Sequence, residues 1–349
     1  MQSISSTQMI TQRSSSTINA VQQEQIDRKY GMFIHFGINT FNDTQWSNGT
    51  LPVSSYNPTG IDADQWVQTA HDAGMNYVIL TVKHHEGFCL WDSQYTDYTV
   101  AHSPYKEDVV KAVSDACHKY GLDFGIYYSL WDRHEPCYLD DHAYTEYMKN
   151  QLTELLDGKY GKIVELWLDG GWEKPSENWH LDELYHHVKT LQPHCSFGVN
   201  ITIGEYNTQA SLERYHPVNQ EENDPMKYFP SDFRLADPLL TREGKYSDPK
   251  VFIHNDKPYY LPFEATICIR NMTYWFWGPA YPKTQTLTPA FIAEKYHHLT
   301  EQGNLLIVNS GPNPDGVLEE YDRQTLFEAA RMLNIAKGDA LLSSNTKKN

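Results

Sequence analysis

The stretch Ile163-Val164-Glu165-Leu166-Trp167-Leu168-Asp169-Gly170-Gly171-Trp172 is largely apolar until it ends on an acid and two glycines. A run this short and this apolar reads as a strand buried on both faces, as in a parallel sheet. Glycines let the chain turn and let a ligand come close. Asp169 therefore closes a strand with Trp167 on one side and Trp172 on the other, and indole faces suit the apolar side of a sugar ring. An Asp before two glycines can equally be a turn cap, so the other strands have to decide.

Working outward, the same beat recurs on both sides. Residues 31–39, 77–88, 123–132, 196–201, 264–269 and 304–309 carry strand-like apolar runs. Between them, residues 62–74, 108–121, 142–158, 178–191, 289–303 and 318–336 read as helices, two of them opening on Asp and closing on Gly. Residues 202–261 break the rhythm; rich in Pro, Asp and Tyr, they show no clear helix and read as a long functional loop region. Seven strands are clear, and the eighth is expected within residues 229–235. Repeated β-α units with continuous apolar strands predict an α/β fold, a (β/α)8-type TIM barrel somewhat degenerate after its fifth strand. Residues 1–349 are read as one catalytic domain, with the barrel over about 21–340 and polar termini. No glycine-rich phosphate loop follows an early strand, which argues against a nucleotide-binding doubly wound sheet.

In parallel barrels the active site lies at the C-terminal ends of the strands. His35, His84, His85, Tyr127, Asp169, Asn200, Glu264 and Asn309 are all read as strand-end polar groups. Each alone is an ordinary cap; together they make a rim. Adjacent residues of a strand face opposite ways, so His84 and His85 can share a ligand only if the strand ends there, and Gly87 helps the turn. The pattern lacks HxH and HExxH spacing, and neutral imidazoles bonding to hydroxyls fit better than metal ligands. The expectation is a site with neither metal nor cofactor. No GxSxG elbow is present, and Cys89, just past the histidine pair, reads as packing.

Composition sets the outer limits. With 40% hydrophobic residues a packed core is expected. The formal net charge of −17 leaves no basic footprint, so neither nucleic acid nor an anionic membrane is an expected partner. Aromatic residues reach 13%, which allows a face that stacks on sugars, although core packing accounts for most of them. Residues 1–20 show no basic and apolar leader pattern, and no apolar run approaches the roughly 18 residues of a membrane helix. Five scattered cysteines form no CxxC and read as reduced thiols of a cytoplasmic protein.

Taken in order, Gly31-Met32-Phe33-Ile34-His35-Phe36-Gly37, Lys83-His84-His85-Glu86-Gly87-Phe88, Tyr127-Tyr128-Ser129, Leu166-Trp167-Leu168-Asp169-Gly170, Pro262-Phe263-Glu264 and Asn304-Leu305-Leu306-Ile307-Val308-Asn309 resemble the family 29 glycoside hydrolases, the retaining α-L-fucosidases. The resemblance runs over about residues 30–337. Asn39-Thr40-Phe41-Asn42-Asp43-Thr44-Gln45-Trp46 is similar to members acting on α-1,3/1,4-linked fucose. The resemblance implies a fucosylated oligosaccharide substrate, Asp169 as nucleophile, and His35, Trp46, His84, His85, Tyr127 and Trp167 around the fucose, with Trp275 lining the pocket for its methyl group. It implies an acid/base from the irregular segment downstream, where Glu205, Glu213 and Glu264 are the candidates. Glu213 is favoured because it lies in the long irregular stretch, while Glu264 is read as a rim residue orienting the sugar. Family members commonly carry a C-terminal β-sandwich; the chain ends too soon for one, so a catalytic barrel alone is expected. Two other readings stay open: a fucose-binding barrel without turnover, and a metal-dependent barrel hydrolase using His35, His84, His85 and Asp169.

Overall fold

The computed structural model describes residues 9–205, 213–236, 247–270, 274–280 and 286–342. Its strands are β1 (Tyr30–Ile34), β2 (Tyr77–Lys83), β3 (Asp123–Ser129), β4 (Ile163–Asp169), β5 (Ser196–Val199), β6 (Arg234–Leu235), β7 (Val251–His254), β8 (Lys257–Tyr260), β9 (Phe263–Cys268) and β10 (Leu305–Asn309). Eight of them form one sheet in the order β5-β4-β3-β2-β1-β10-β9-β6, and every pairing is parallel. The seam between β5 and β6 is joined by the Asp232 N–H to the Phe197 carbonyl (2.7 Å) and the Thr202 N–H to the Leu235 carbonyl (3.2 Å). Lys189 holds the Asp232 carboxylate there at 2.7 Å. The result is the expected α/β barrel, with the eighth strand inside the predicted 229–235 window.

The period of two along each strand sorts residues into an inner and an outer set. Phe33, Tyr77, Ile79, Tyr127, Trp167, Phe233, Leu235, Leu305 and Ile307 pack together inside the barrel. A second, larger core lies between the sheet and its helices. Along β4 the inward face therefore runs Glu165, Trp167, Asp169, from floor to rim. Along β10 it runs Leu305, Ile307, Asn309, in register with Glu264, Thr266 and Cys268 of β9.

The helix caps follow the local sequence. Asp62 accepts from the Gln65 N–H (2.9 Å) at the start of the helix Ala63–Asp72. Asp108 caps Val109–Tyr120 in the same way, and Gly121 ends that helix in the left-handed region. Two elements escaped the sequence reading. The helix Ala20–Arg28 opens on a capping box between Asn19 and Gln22. Within the stretch read as loop, β7 and β8 form an antiparallel hairpin turned at Asn255 and Asp256, both at positive φ (49° and 58°). Its flanking residues, Val251-Phe252-Ile253 and Pro258-Tyr259-Tyr260, did carry a strand signal.

Candidate active site

Asp169 is the last residue of β4 and is 6% exposed. The strand can turn at once because Gly170 sits at φ 78°, and a Cβ there would lie 2.6 Å from that of Trp131. The Asp169 carboxylate has two fixed donors: the Tyr127 hydroxyl to Oδ2 (2.7 Å) and the Asn200 amide to Oδ1 (3.0 Å). Burial raises its pKa above the ordinary aspartate value, while the two donors and nearby His84 act against that rise. The result is a carboxylate locked in one orientation, with little water around it.

Three imidazoles surround it, and the hydrogen bonds settle their tautomers. The Asn309 amide nitrogen donates to the Trp275 carbonyl (2.9 Å), so its oxygen accepts from Nδ1–H of His35 (2.7 Å). The Ser129 hydroxyl donates to the Trp131 carbonyl (2.7 Å), so its oxygen accepts from Nδ1–H of His85 (2.7 Å). The Glu86 carboxylate, which also accepts from Asn39 (2.9 Å), takes Nδ1–H of His84 at 3.3 Å. Burial, and then repulsion from His84, push His35 and His85 well below the usual histidine pKa, so both are neutral near pH 7. Nε2 of each ring is then an acceptor. Nε2 of His85 stands 3.6 Å from Asp169 Oδ2, too far for a hydrogen bond and, with the ring neutral, no ion pair. His35 and His85 thus accept hydrogen bonds from hydroxyl groups.

Aromatic rings complete the cup. Trp167 stacks on Tyr127 from below (5.4 Å between centroids, 25°). Trp275 lies 5.2 Å from the His35 ring and Phe276 lies 4.9 Å from that of His84. Trp46 reaches over from the loop after β1, edge-on to His85 at 5.1 Å. His35, Trp46, His84, His85, Tyr127, Trp167, Asp169 and Trp275 are thus gathered at one end of the barrel.

One of the sequence-derived candidates falls elsewhere. Glu264 does not end its strand, contrary to the sequence reading. It is the second residue of β9, so the apolar run it opens climbs away from it, and Cys268 takes the upper position. Glu264 lies fully buried on the barrel floor, accepting from the Tyr77 hydroxyl (2.8 Å) beside Glu165. Burial raises its pKa to about 7, and burial together with the Glu264 charge raises that of Glu165. Glu213 is exposed on the segment beyond β5, and its main-chain carbonyl accepts from Asn219 (3.0 Å). Among the described residues, no hydrogen bond or ion pair joins its carboxylate to Asp169. Glu205 is also exposed, and Tyr215 lies close to it. Residues 206–212, between these two acids, lie outside the described residues.

The supporting residues were harder to see in sequence. Ser129 lies two residues beyond Tyr127 on the same strand face, so period-two spacing could have flagged it, whereas Glu86 lies in the turn after β2, where that spacing says nothing. Gln45, Trp131 and Phe276 carried no such signal. Among the described residues, no three His, Cys, Asp or Glu side chains converge as a metal ion needs.

Comparison with known proteins adds an independent line. Residues 43–337 match the protein-family model described as Alpha-L-fucosidase. The chain is 35% identical over 315 residues to Alpha-L-fucosidase 1 of Arabidopsis thaliana, covering 87% of this chain and 57% of that protein. A relative from Oryza sativa subsp. japonica is 33% identical over 307 residues, covering 85% and 55%. The crystal structure of a glycoside hydrolase 29 family member from an unknown rumen bacterium aligns with a TM-score of 0.72 at 27% identity, covering 90% of this chain and 57% of that one. The chain thus spans little more than half the length of the curated plant relatives it matches.

Proposed function

The chain belongs to the α-L-fucosidase family, and on that premise we propose that it is a retaining exo-α-L-fucosidase releasing terminal α-linked L-fucose from oligosaccharides or glycans. The observation that carries this reading is the Asp169 carboxylate, held by Tyr127 and Asn200 beside two imidazoles, His35 and His85, set as acceptors. The fucose hydroxyls donate to those imidazoles, while Trp46, Tyr127, Trp167 and Trp275 enclose the ring and its methyl group.

Asp169 attacks the anomeric carbon as the C1–O bond to the leaving sugar breaks. A second carboxyl group, about 5–5.5 Å away across the sugar, protonates the departing oxygen. The fucosyl ester on Asp169 is then hydrolysed by a water that the same second group deprotonates. We assign that role to Glu213, with Glu205 as the rival, since both stand on the segment that follows β5 and its Asn200. Glu264 is not carried forward as a sugar-orienting residue, because it lies on the floor. Residues 21–340 are read as one catalytic unit. All five cysteines are free thiols, which fits the proposed cytoplasmic location; no described helix is long and apolar enough to cross a membrane. Immunolocalisation that finds the protein outside the cytoplasm overturns that placement.

The activity is tested on an α-L-fucosyl disaccharide and an aryl α-L-fucoside. The expected result is fucose released first as the α-anomer; fucose bound without turnover would make the protein a lectin-like barrel. Glu213→Ala should lose far more activity on the disaccharide than on the aryl fucoside and be rescued by azide. The same behaviour in Glu205→Ala instead would move the assignment there.

A further inference from the structure

One part of the upper rim extends beyond the fucose cup, from the outward side of Trp46. Trp46 is 50% exposed, whereas Trp66, Trp91, Trp167 and Trp179 are each under 2%. Its indole lies nearly parallel to that of Trp172 (6.1 Å, 17°) and edge-on to Trp131 (5.7 Å). Arg133, also exposed, lays its guanidinium over Trp131 (4.8 Å) and donates to the Ser47 carbonyl (3.0 Å). The loops after β1, β3 and β4 thus bring their indoles around His85, which follows β2.

The loop that carries the exposed indole is tied down at both ends. The side chain of Gln45, its neighbour, accepts from the main-chain N–H groups of Trp275 (2.7 Å) and Phe276 (2.9 Å) and donates to the Phe276 carbonyl (3.0 Å). His134 bonds to the Gly49 carbonyl (2.8 Å) at the other end of that loop. An exposed indole gains little for folding, and an aromatic patch fixed at a site mouth marks a contact surface.

We infer that Trp46, Trp172 and Arg133 form the subsite for the leaving sugar, a pyranose whose apolar face lies on the two indoles while Arg133 donates to its hydroxyls. This deepens the fucosidase reading and rests on it. The direction of bond breaking supports it. Asp169 attacks C1 from the buried side, so the departing oxygen leaves toward the mouth, where these rings are. The 6.1 Å separation of the two indoles is too small to sandwich a ring, since carbon contacts of about 3.5–4 Å on each side need roughly 7 Å or more. The sugar therefore lies across their outward surface.

The test pairs a substrate that has a leaving sugar with one that has none: an α-L-fucosyl disaccharide and α-L-fucosyl fluoride. Trp172→Leu and Arg133→Ala should each raise KM for the disaccharide, by about tenfold for the indole, and leave kcat/KM for the fluoride unchanged. Trp172→Phe should keep most of the disaccharide activity. Equal losses on both substrates, or no loss on either, overturn the subsite. So does a Trp172→Leu protein whose only change is weaker self-association, which would make the patch a contact between copies. Failure of the unaltered protein to hydrolyse the fluoride overturns the fucosidase reading itself, and the subsite with it.

Discussion

Glu165 and Asp169 stand on the same face of one strand, four residues apart, and both are buried. They differ in company. Asp169 at the rim accepts from Tyr127 and Asn200 and lies beside imidazoles turned to accept hydrogen bonds from hydroxyl groups. Glu165 on the floor accepts from Gln25 (3.1 Å) and faces a second carboxyl group, Glu264. Burial raises the pKa of both. At the rim two donors oppose that rise and help keep the carboxylate ionised; on the floor a like charge adds to it and favours the protonated form. The contrast teaches that a buried acid becomes a nucleophile candidate through its donors and its access to a cavity, not through burial.

The largest effect expected is at the rim. Asp169→Asn should cut kcat by about a thousandfold or more with the fold intact by circular dichroism; a variant with more than a tenth of normal activity breaks the contrast. Next come the donors. Tyr127→Phe or Asn200→Ala removes a hydrogen bond to a buried charge, about 1.5–3 kcal/mol, and should lower kcat/KM on fucosides by roughly 10- to 100-fold. Each should also move the acid limb of the kcat/KM profile to higher pH, because the ionised form of Asp169 loses support. An unmoved limb would show that these groups do not tune the carboxylate.

On the floor the raised pKa acts on stability rather than on turnover. Glu264 has a folded-state pKa of about 7 against an ordinary 4.5. A raised folded pKa gives stability that is full below the unfolded pKa and is lost as pH climbs through the folded one. Thermal denaturation should therefore show Tm falling from about pH 4.5 to 7 through this pair. Glu264→Gln should flatten that slope while changing kcat on a fucoside by less than about twofold, the smallest effect expected. A large kcat loss with stability unchanged would return Glu264 to the active site.

Much of this was legible in sequence because it is local. Apolar runs gave the strands, Asp62 and Asp108 marked helix starts, and the residues after Ile34 and Lys83 and at the end of β4 were placed at the rim by strand position alone. What failed was not local. The partners that fix the histidines come from other strands and loops: Asn309 lies 274 positions from His35 and Ser129 lies 44 from His85. Period two says which residues share a face but not which strand stands opposite. Glu264 was misplaced because a polar residue beside an apolar run looks the same at either end, and only the direction of the strand separates floor from rim. The hairpin of β7 and β8 was hidden inside a stretch judged by its prolines and acids.

The most direct measurement is mass spectrometry of the peptide digest after reaction with a 2-deoxy-2-fluoro-α-L-fucosyl fluoride, whose glycosyl-enzyme ester forms and persists. The account predicts one fluorofucosyl adduct, on Asp169. An adduct on any other carboxylate, or hydrolysis of fucosides with no adduct and with the released fucose inverted at C1, would contradict it.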